Sequence, residues 1–233
     1  MVQGDSSIVQ AGRIKIVVGL ALVAGSAISL YLYFTPRPPL PEPLLHEGIG
    51  RVLVQQAAPL AGPGGRITLI RRDTSMTPNP ATEAQVRGVV AAARQAGLVI
   101  GTTNTLRLDP LRLVRVAPND FLDWLRRQKE GDVIISLLGP PLLGPAQRKQ
   151  LGEHPAPVVA LCSGDMPRQV DLKALFEMGL LHAAVVDRPD PPMVPPKSKD
   201  PQSWFDAYYQ VITRDNLNDL PSPSPSLQHG NHP

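Results

Sequence analysis

The sequence has one cysteine, few aromatic residues and no basic stripe, and each shortage excludes a class of protein. Cys162 alone cannot form an internal disulfide bond or a cysteine-based zinc site. Its place in the apolar run PVVALC indicates a buried structural thiol. The formal net charge is only +3, and Lys and Arg occur singly or in pairs. Because nucleic-acid-binding proteins concentrate positive charge on one surface, we expect no nucleic-acid partner.

The sequence also lacks the residue spacings typical of catalytic and metal sites. His46, His154 and His182 are too far apart in sequence to form a local ligand motif. The segment GPPLLGP at 139–145 contains neither the Lys nor the Ser or Thr of a phosphate-binding loop. We therefore predict a protein that is not an enzyme, with no catalytic residue, no metal and no cofactor.

One long apolar segment, residues 16–34, carries no charged side chain. Its length is close to the ~20 residues that cross a lipid bilayer as a helix. Arg13 and Lys15 precede it and aromatic rings lie within 31–34, as at the two interfaces of a membrane. This pattern predicts a single transmembrane helix in the bacterial inner membrane, with the following domain in the periplasm or outside the cell. A cleaved signal peptide is the alternative, because the small residues at 25–27 resemble a cleavage site.

The 27 prolines are concentrated near the two ends and between residues 189 and 201, and they mark the boundaries of the chain's segments. We predict a cytoplasmic N-terminus at 1–15, a transmembrane helix at 16–34, a Pro-rich spacer and helix at 35–65, an α/β domain at 66–190, a Pro-rich linker and C-terminal helix at 191–219, and a disordered tail at 220–233.

Strand and helix patterns alternate within the predicted α/β domain. RITLI predicts a strand. Residues Thr82 to Gln85 predict a capping box that opens a helix with an apolar stripe, and this helix ends at Gly97. The stripe comprises Val86, Val89, Val90 and Ala93. Further strands are predicted at LVIGTT or LRLVRV, and at DVIISLL, PVVALC and HAAVV, with helices over NDFLDWLRRQ, PAQRKQLG and LKALFEMG. This order predicts an α/β fold with one doubly wound, mostly parallel sheet.

The pattern changes after Asp187. The segment RPDPPMVPPKSKDP has too many prolines for a helix or a central strand. A final helix is then predicted, with Asp200 as its N-cap and an apolar face formed by Trp204, Phe205, Tyr208, Val211 and Ile212.

The segments ITLIRRDTSMTPNPATEAQVRGVVAAARQAGL, DFLDWLRRQKEGDVIISLLGPP and PVVALCSGDM resemble the first lobe of type I periplasmic binding proteins, the sugar-binding and repressor-like group. The Ala-Ala-x-x-x-Gly segment at 92–97 and the strands at 132–135 and 157–159 carry the resemblance. It implies an α/β lobe in which the polar loop after the first strand faces a ligand. Too little sequence follows Asp187 for a second lobe, so we expect one lobe.

Ligands of open α/β sheets bind beyond the carboxyl ends of the strands. The loop after the first strand contains Asp73, Thr74, Ser75 and Asn79, which are candidates for ligand contact or for turns and a helix cap. Ser163 and Asp165 follow the strand PVVALC and are further candidates.

Three hypotheses for the function remain open. The leading one is a membrane-anchored, non-enzymatic accessory or scaffolding subunit of a larger membrane protein complex, with other membrane protein subunits as partners and lipid contact through 16–34. The alternative is a solute-binding or sensory module that dimerises to complete a ligand cleft, in which a small molecule is the ligand. The third is an exported enzyme whose site is spread over several loops.

Overall fold

The computed structural model describes residues 19, 22–27, 29, 43–107, 116–152 and 155–220. The chain divides into two compact units, Met1–Leu40 and Pro41–Pro233. In the first unit, residues 22–27 are helical and exposed. The second unit contains every strand of the described chain.

The predicted transmembrane helix lies for the most part outside the described residues. No helix in the described ranges is both long enough and apolar enough to cross a membrane. On this finding, which covers the residues that the structure describes, the predicted single-pass location in the bacterial inner membrane is wrong.

The second unit is built on a six-stranded sheet in the order β2-β1-β3-β4-β5-β6. The first five strands are parallel, and β6 runs antiparallel to β5. The strands are β1 Arg66–Arg72, β2 Val99–Leu106, β3 Val133–Ser136, β4 Val158–Leu161, β5 Ala183–Asp187 and β6 Tyr209–Thr213. The sequence prediction of an α/β domain with a mostly parallel sheet is therefore confirmed. The segment LRLVRV lies almost entirely outside the described residues.

Helices cover both faces of the sheet. They are α1 Pro43–Ala57, α2 Pro80–Gln95, α3 Pro118–Arg126, α4 Pro145–Arg148, α5 Met166–Gln169, α6 Leu172–Glu177 and α7 Pro201–Tyr208, with short 3-10 helices at Ala58–Leu60 and Arg214–Asp219. On the face called here the α1 face, α1, α2 and α7 pack over the strands, for example on Ile67 and Ile135. On the opposite α3 face, α3 and α6 bury Phe121 and Phe176 against Ile70 and Ile134.

The helix α2 begins three residues earlier than the capping box predicted. Asn79, not Thr82, is the N-cap, and its side-chain oxygen accepts a hydrogen bond from the backbone N–H of Thr82 at 2.9 Å. Pro80 fits the first turn of the helix because it has no N–H to leave unpaired. Of the predicted stripe, Val89 and Ala93 are buried and Val90 is half exposed. Val90 lies on the outer side of the helix, so this part of the predicted stripe is wrong.

The predicted C-terminal helix is also too long. It ends at Tyr208, and Tyr209–Thr213 forms the edge strand β6 against β5. The segment YQVIT is rich in β-branched and aromatic residues, which favour strands. Pairing with β5 satisfies backbone groups that would otherwise form an open edge of the sheet. A helical continuation would have left those groups unpaired.

Candidate functional site

The strand order 2-1-3-4-5 places the topological switch point between β1 and β3. The helix that follows β1 lies on the α1 face, while α4, which follows β3, begins on the side of the α3-face core. Ligands of open α/β sheets bind in the crevice at such a point, beyond the carboxyl ends of the strands. The loops to inspect are therefore 73–79, after β1, and 137–144, after β3.

Two groups of side chains lie at the carboxyl end of β1, and we call them together the β1 cluster: Arg71, Glu83 and Thr74 form one, and Asp73 and Arg107 form the other. An Asp73 carboxylate oxygen lies 3.2 Å from Nε of Arg107, and a Glu83 oxygen lies 3.6 Å from an Nη atom of Arg71. The Thr74 hydroxyl donates a hydrogen bond to Glu83. The β1 cluster thus joins the end of β1, the first turn of α2 and the end of β2.

The electrostatics of the cluster favour ionised Asp73. The backbone N–H of Ser75 donates to Oδ1 of Asp73 at 2.9 Å. This hydrogen bond is the main cause that lowers the pKa of Asp73 from its ordinary value, followed by hydrogen bonds from the Ser75 side chain and from Arg107. The carboxylate can therefore accept hydrogen bonds from a ligand at neutral pH.

Two of the four candidates in the first loop have local roles. Asn79 caps α2, and Ser75 closes a turn on Asp73 with its N–H. Asp73 and Thr74 belong to the β1 cluster. The sequence interpretation had missed Arg71, Glu83 and Arg107. In the sequence, Glu83 is recognisable only as an acidic residue near the start of a helix. Arg107 reaches the cluster only because β2 pairs with β1.

Ser163 and Asp165, the other candidates, lie at the carboxyl end of β4, two strands from β1. Between them the N–H of Gly164 donates to Asp187 at the end of β5. Asp165 lies 3.9 Å from an Nη atom of Arg168, and both side chains are exposed. Burial, then the nearby Asp187 carboxylate, raises the pKa of Tyr209 to about 12. These groups form a second polar patch, separate from the β1 cluster.

The loop after β3, residues 137–144, consists of apolar residues, most of which are buried. Gly139, Pro140 and Pro141 are buried, and a Cβ at Gly139 would lie 2.7 Å from the Met166 side chain. Gly139 also has φ of +92°, a conformation that favours glycine. Nearby, burial raises the pKa of the Cys162 thiol far above its usual range, so the thiol is not a nucleophile at neutral pH.

A large depression lies at the other end of the strands. It has a volume of about 1170 Å³ and is lined by the turn at 62–63, by the end of α3 with residues 128–132, and by 150–152 and 155–157. Its position at the amino ends of β3 and β4 separates it from the β1 cluster. Within the described residues, no three His, Cys, Asp or Glu side chains come together as a metal site.

No protein-family model matches the sequence, and no curated protein is significantly similar to it. Solved structures share its fold at low identity. A substrate-binding protein of a sugar ABC transport system from Bordetella parapertussis has a TM-score of 0.50 and 14% identity, over 76% of this chain and 58% of that one. A periplasmic ribose ABC transporter protein from Conexibacter woesei has a TM-score of 0.45 and 16% identity, over 60% of this chain and 45% of that one.

A protein from Bacteroides fragilis that is described as a LacI transcriptional regulator has a TM-score of 0.46 and 12% identity, over 74% of this chain and 61% of that one. The chain thus spans less than two thirds of the length of these three proteins. The α/β domain has a type I periplasmic binding protein-like fold, as the sequence pattern predicted.

Proposed function

We propose that the domain is a non-enzymatic solute-binding module that binds a monosaccharide at the β1 cluster. One observation carries the proposal: an Arg71–Glu83–Thr74 group and an Asp73–Arg107 ion pair both lie at the carboxyl end of β1, beside the switch point of the sheet. The predicted accessory role in a membrane complex has no support in the comparisons.

The chemistry of the cluster suits a polyol. Sugar hydroxyl groups both donate and accept hydrogen bonds, so they pair with carboxylates and with guanidinium groups. Glu83 and Asp73 are already oriented by Arg71 and Arg107, which lowers the entropy cost of ordering them around a ligand. The structurally similar protein from Bordetella parapertussis is the substrate-binding protein of a sugar ABC transport system, and this supports the same ligand class.

A single lobe leaves a bound sugar open to water on one side. Ligand sites in proteins usually bury most of the ligand surface, so a second surface is needed for tight binding. We propose that a second copy of this chain supplies it, with the carboxyl edges of two sheets facing each other. Binding of the sugar and dimerisation are then coupled.

The test is a thermal-shift and calorimetric screen of pentoses and hexoses. Sedimentation of the chain, without sugar and at saturation, measures whether it is a monomer or a dimer. A ligand that binds the folded state raises the midpoint of unfolding. We expect one or more monosaccharides to stabilise the chain and to shift it from monomer to dimer. If a sugar stabilises the chain while it remains a monomer, the proposed role of a second copy is wrong. If no sugar raises the midpoint of unfolding, the whole proposal is wrong.

Matched variants locate the binding site. Glu83→Gln and Asp73→Asn should each weaken sugar binding by about tenfold or more, because each removes hydrogen bonds to a charged group. Glu177→Gln is the control, since Glu177 is exposed on α6 and forms no described ion pair. Equal affinities for the three variants would place the sugar elsewhere.

A further inference from the structure

A groove lies on the α3 face of the sheet, between the edge strand β2 and the helix α3. Its volume is about 420 Å³, and its lining includes Thr68, Thr102, Asn104, Trp124 and Gln128. Known small-molecule sites have volumes of about 300 to 1,000 Å³. The groove runs over the middle and amino-terminal parts of the strands, so it is a different place from the β1 cluster.

The groove exists because α3 is short and covers only part of the sheet. Phe121, Leu122 and Leu125 of α3 are buried in the core over the central strands. At the edge, Thr102 pairs with Thr68 and Asn104 pairs with Ile70, so the polar side chains of β2 share this face. Polar side chains at these positions do not extend the apolar core.

One wall of the groove is held by a chain of hydrogen bonds. The Thr68 hydroxyl donates to Oε1 of Gln128 at 2.7 Å, and Nε2 of Gln128 donates to the backbone oxygen of Trp124 at 2.6 Å. Trp124 also packs against Phe121, with 6.1 Å between ring centroids. Trp124 is half-buried, so part of the side chain is available to a ligand.

The rim of the groove is more basic than acidic. Arg66, Arg127 and Lys129 face two carboxylates, Glu130 and Asp132. The Asp132 carboxylate already accepts hydrogen bonds at 2.9 Å from the backbone N–H groups of Arg66 and Lys129. None of the three cationic side chains forms an ion pair with another described residue. They are therefore available to an anionic group.

We propose that this groove binds a sugar phosphate. The indole of Trp124 suits the apolar face of a sugar ring, and Thr102 and Asn104 suit its hydroxyl groups. The phosphate lies between Arg127, Arg66 and Lys129, where charge-assisted hydrogen bonds are available. This site is independent of the proposed function, because it shares no residue with the β1 cluster.

Fluorescence of Trp124 provides a direct test. The chain has two tryptophans, so Trp204→Phe leaves Trp124 as the sole indole. We expect glucose 6-phosphate to change its emission in a saturable manner. Glucose alone and inorganic phosphate alone should each bind at least about tenfold more weakly, because each lacks one half of the interaction.

Two neighbouring arginines at the end of α3, Arg126 and Arg127, provide the matched control. Arg127→Gln should weaken glucose 6-phosphate binding by about tenfold. Arg126→Gln should not, because Arg126 is equally exposed but does not line the groove. Equal effects of the two substitutions, equal affinity for glucose and glucose 6-phosphate, or no fluorescence change at millimolar ligand would each overturn the proposal. If the β1 cluster does not bind a monosaccharide, the results expected for glucose 6-phosphate at the groove remain the same.

Discussion

Gly50 of α1 packs directly against the backbone carbonyl of Gln85 in α2. A Cβ at Gly50 would overlap that oxygen and would also lie 2.7 Å from the backbone nitrogen of Val89. The contact is reciprocal, because a Cβ at Gly88 of α2 would overlap the carbonyl oxygen of Glu47 in α1. The two helices therefore approach each other through their backbones, and an ion pair at 3.1 Å between Glu47 and Arg87 lies beside the contact.

This close approach predicts that Gly50→Ala and Gly88→Ala destabilise the fold. Alanine favours an isolated helix by up to ~1 kcal/mol over glycine. Overlap with a rigid backbone atom forces the helices apart, and overpacking costs about 1–3 kcal/mol or more. The expected net result is a lower free energy of unfolding in a denaturant titration.

Gly152→Ala is the control for these two variants, because a Cβ at Gly152 has no neighbour within 4 Å. Its free energy of unfolding should match that of the unmodified chain. Stabilisation by Gly50→Ala would show that helix propensity, not close approach, governs this position.

Asn79 is expected to act as a helix cap. Asn79→Ala should lower the free energy of unfolding by about 1 kcal/mol, because the Thr82 N–H loses its side-chain acceptor. Asn79→Ser should restore most of the stability, since serine caps helices nearly as well. The sugar affinity of the folded Ser variant should remain unchanged. A loss of sugar affinity in that variant would instead assign ligand contact to Asn79.

His182 predicts a dependence of stability on pH. Burial and, secondly, the charge of Arg214 lower the pKa of His182 from its ordinary value of 6.5. The backbone N–H of Val158 donates to its Nδ1 at 3.3 Å, which favours the neutral ring. The unfolded state then binds the proton more tightly, so the stabilisation is complete above pH 6.5 and decreases as the pH falls below it.

Denaturant titrations between pH 7.5 and about 5.5 measure this effect. Burial also lowers the pKa of His46, whose Nδ1 is buried without a hydrogen-bond partner among the described residues. A chain with both His46→Gln and His182→Gln should therefore lose less stability over this interval. An equal slope in the variant would show that other groups cause the dependence.

Cys162 should be inert in the folded protein. It is fully buried, and burial raises the pKa of its thiol. Because the thiolate is the reactive species, iodoacetamide at pH 8 should modify the native chain only as fast as the chain opens. Modification in denaturant provides the full-reactivity control. Reaction of the native protein at the rate of a free thiol would contradict the burial.

Local sequence determined the elements whose signals lie within a few residues. Asp171 caps α6, with its side chain accepting from the N–H of Ala174, and Gly97 adopts φ of +71° after α2. The buried runs of β3 and β4 were recognisable because strands covered on both faces are continuously apolar. These features depend on chemistry between near neighbours, so the sequence contains them.

Only the tertiary structure decided the features that depend on distant residues. Tyr209–Thr213 became a strand because β5 offered an unpaired edge, although the spacing of its apolar residues also fitted one face of a helix. Arg107 joined Asp73 because β2 pairs with β1, and Trp124 lines one groove with Thr102 and Asn104 because α3 lies next to the edge strand. Sequence alone determined the type of the fold and most of its elements. The positions of the two candidate sites required the sheet, since strand pairing brings together side chains that are far apart along the chain.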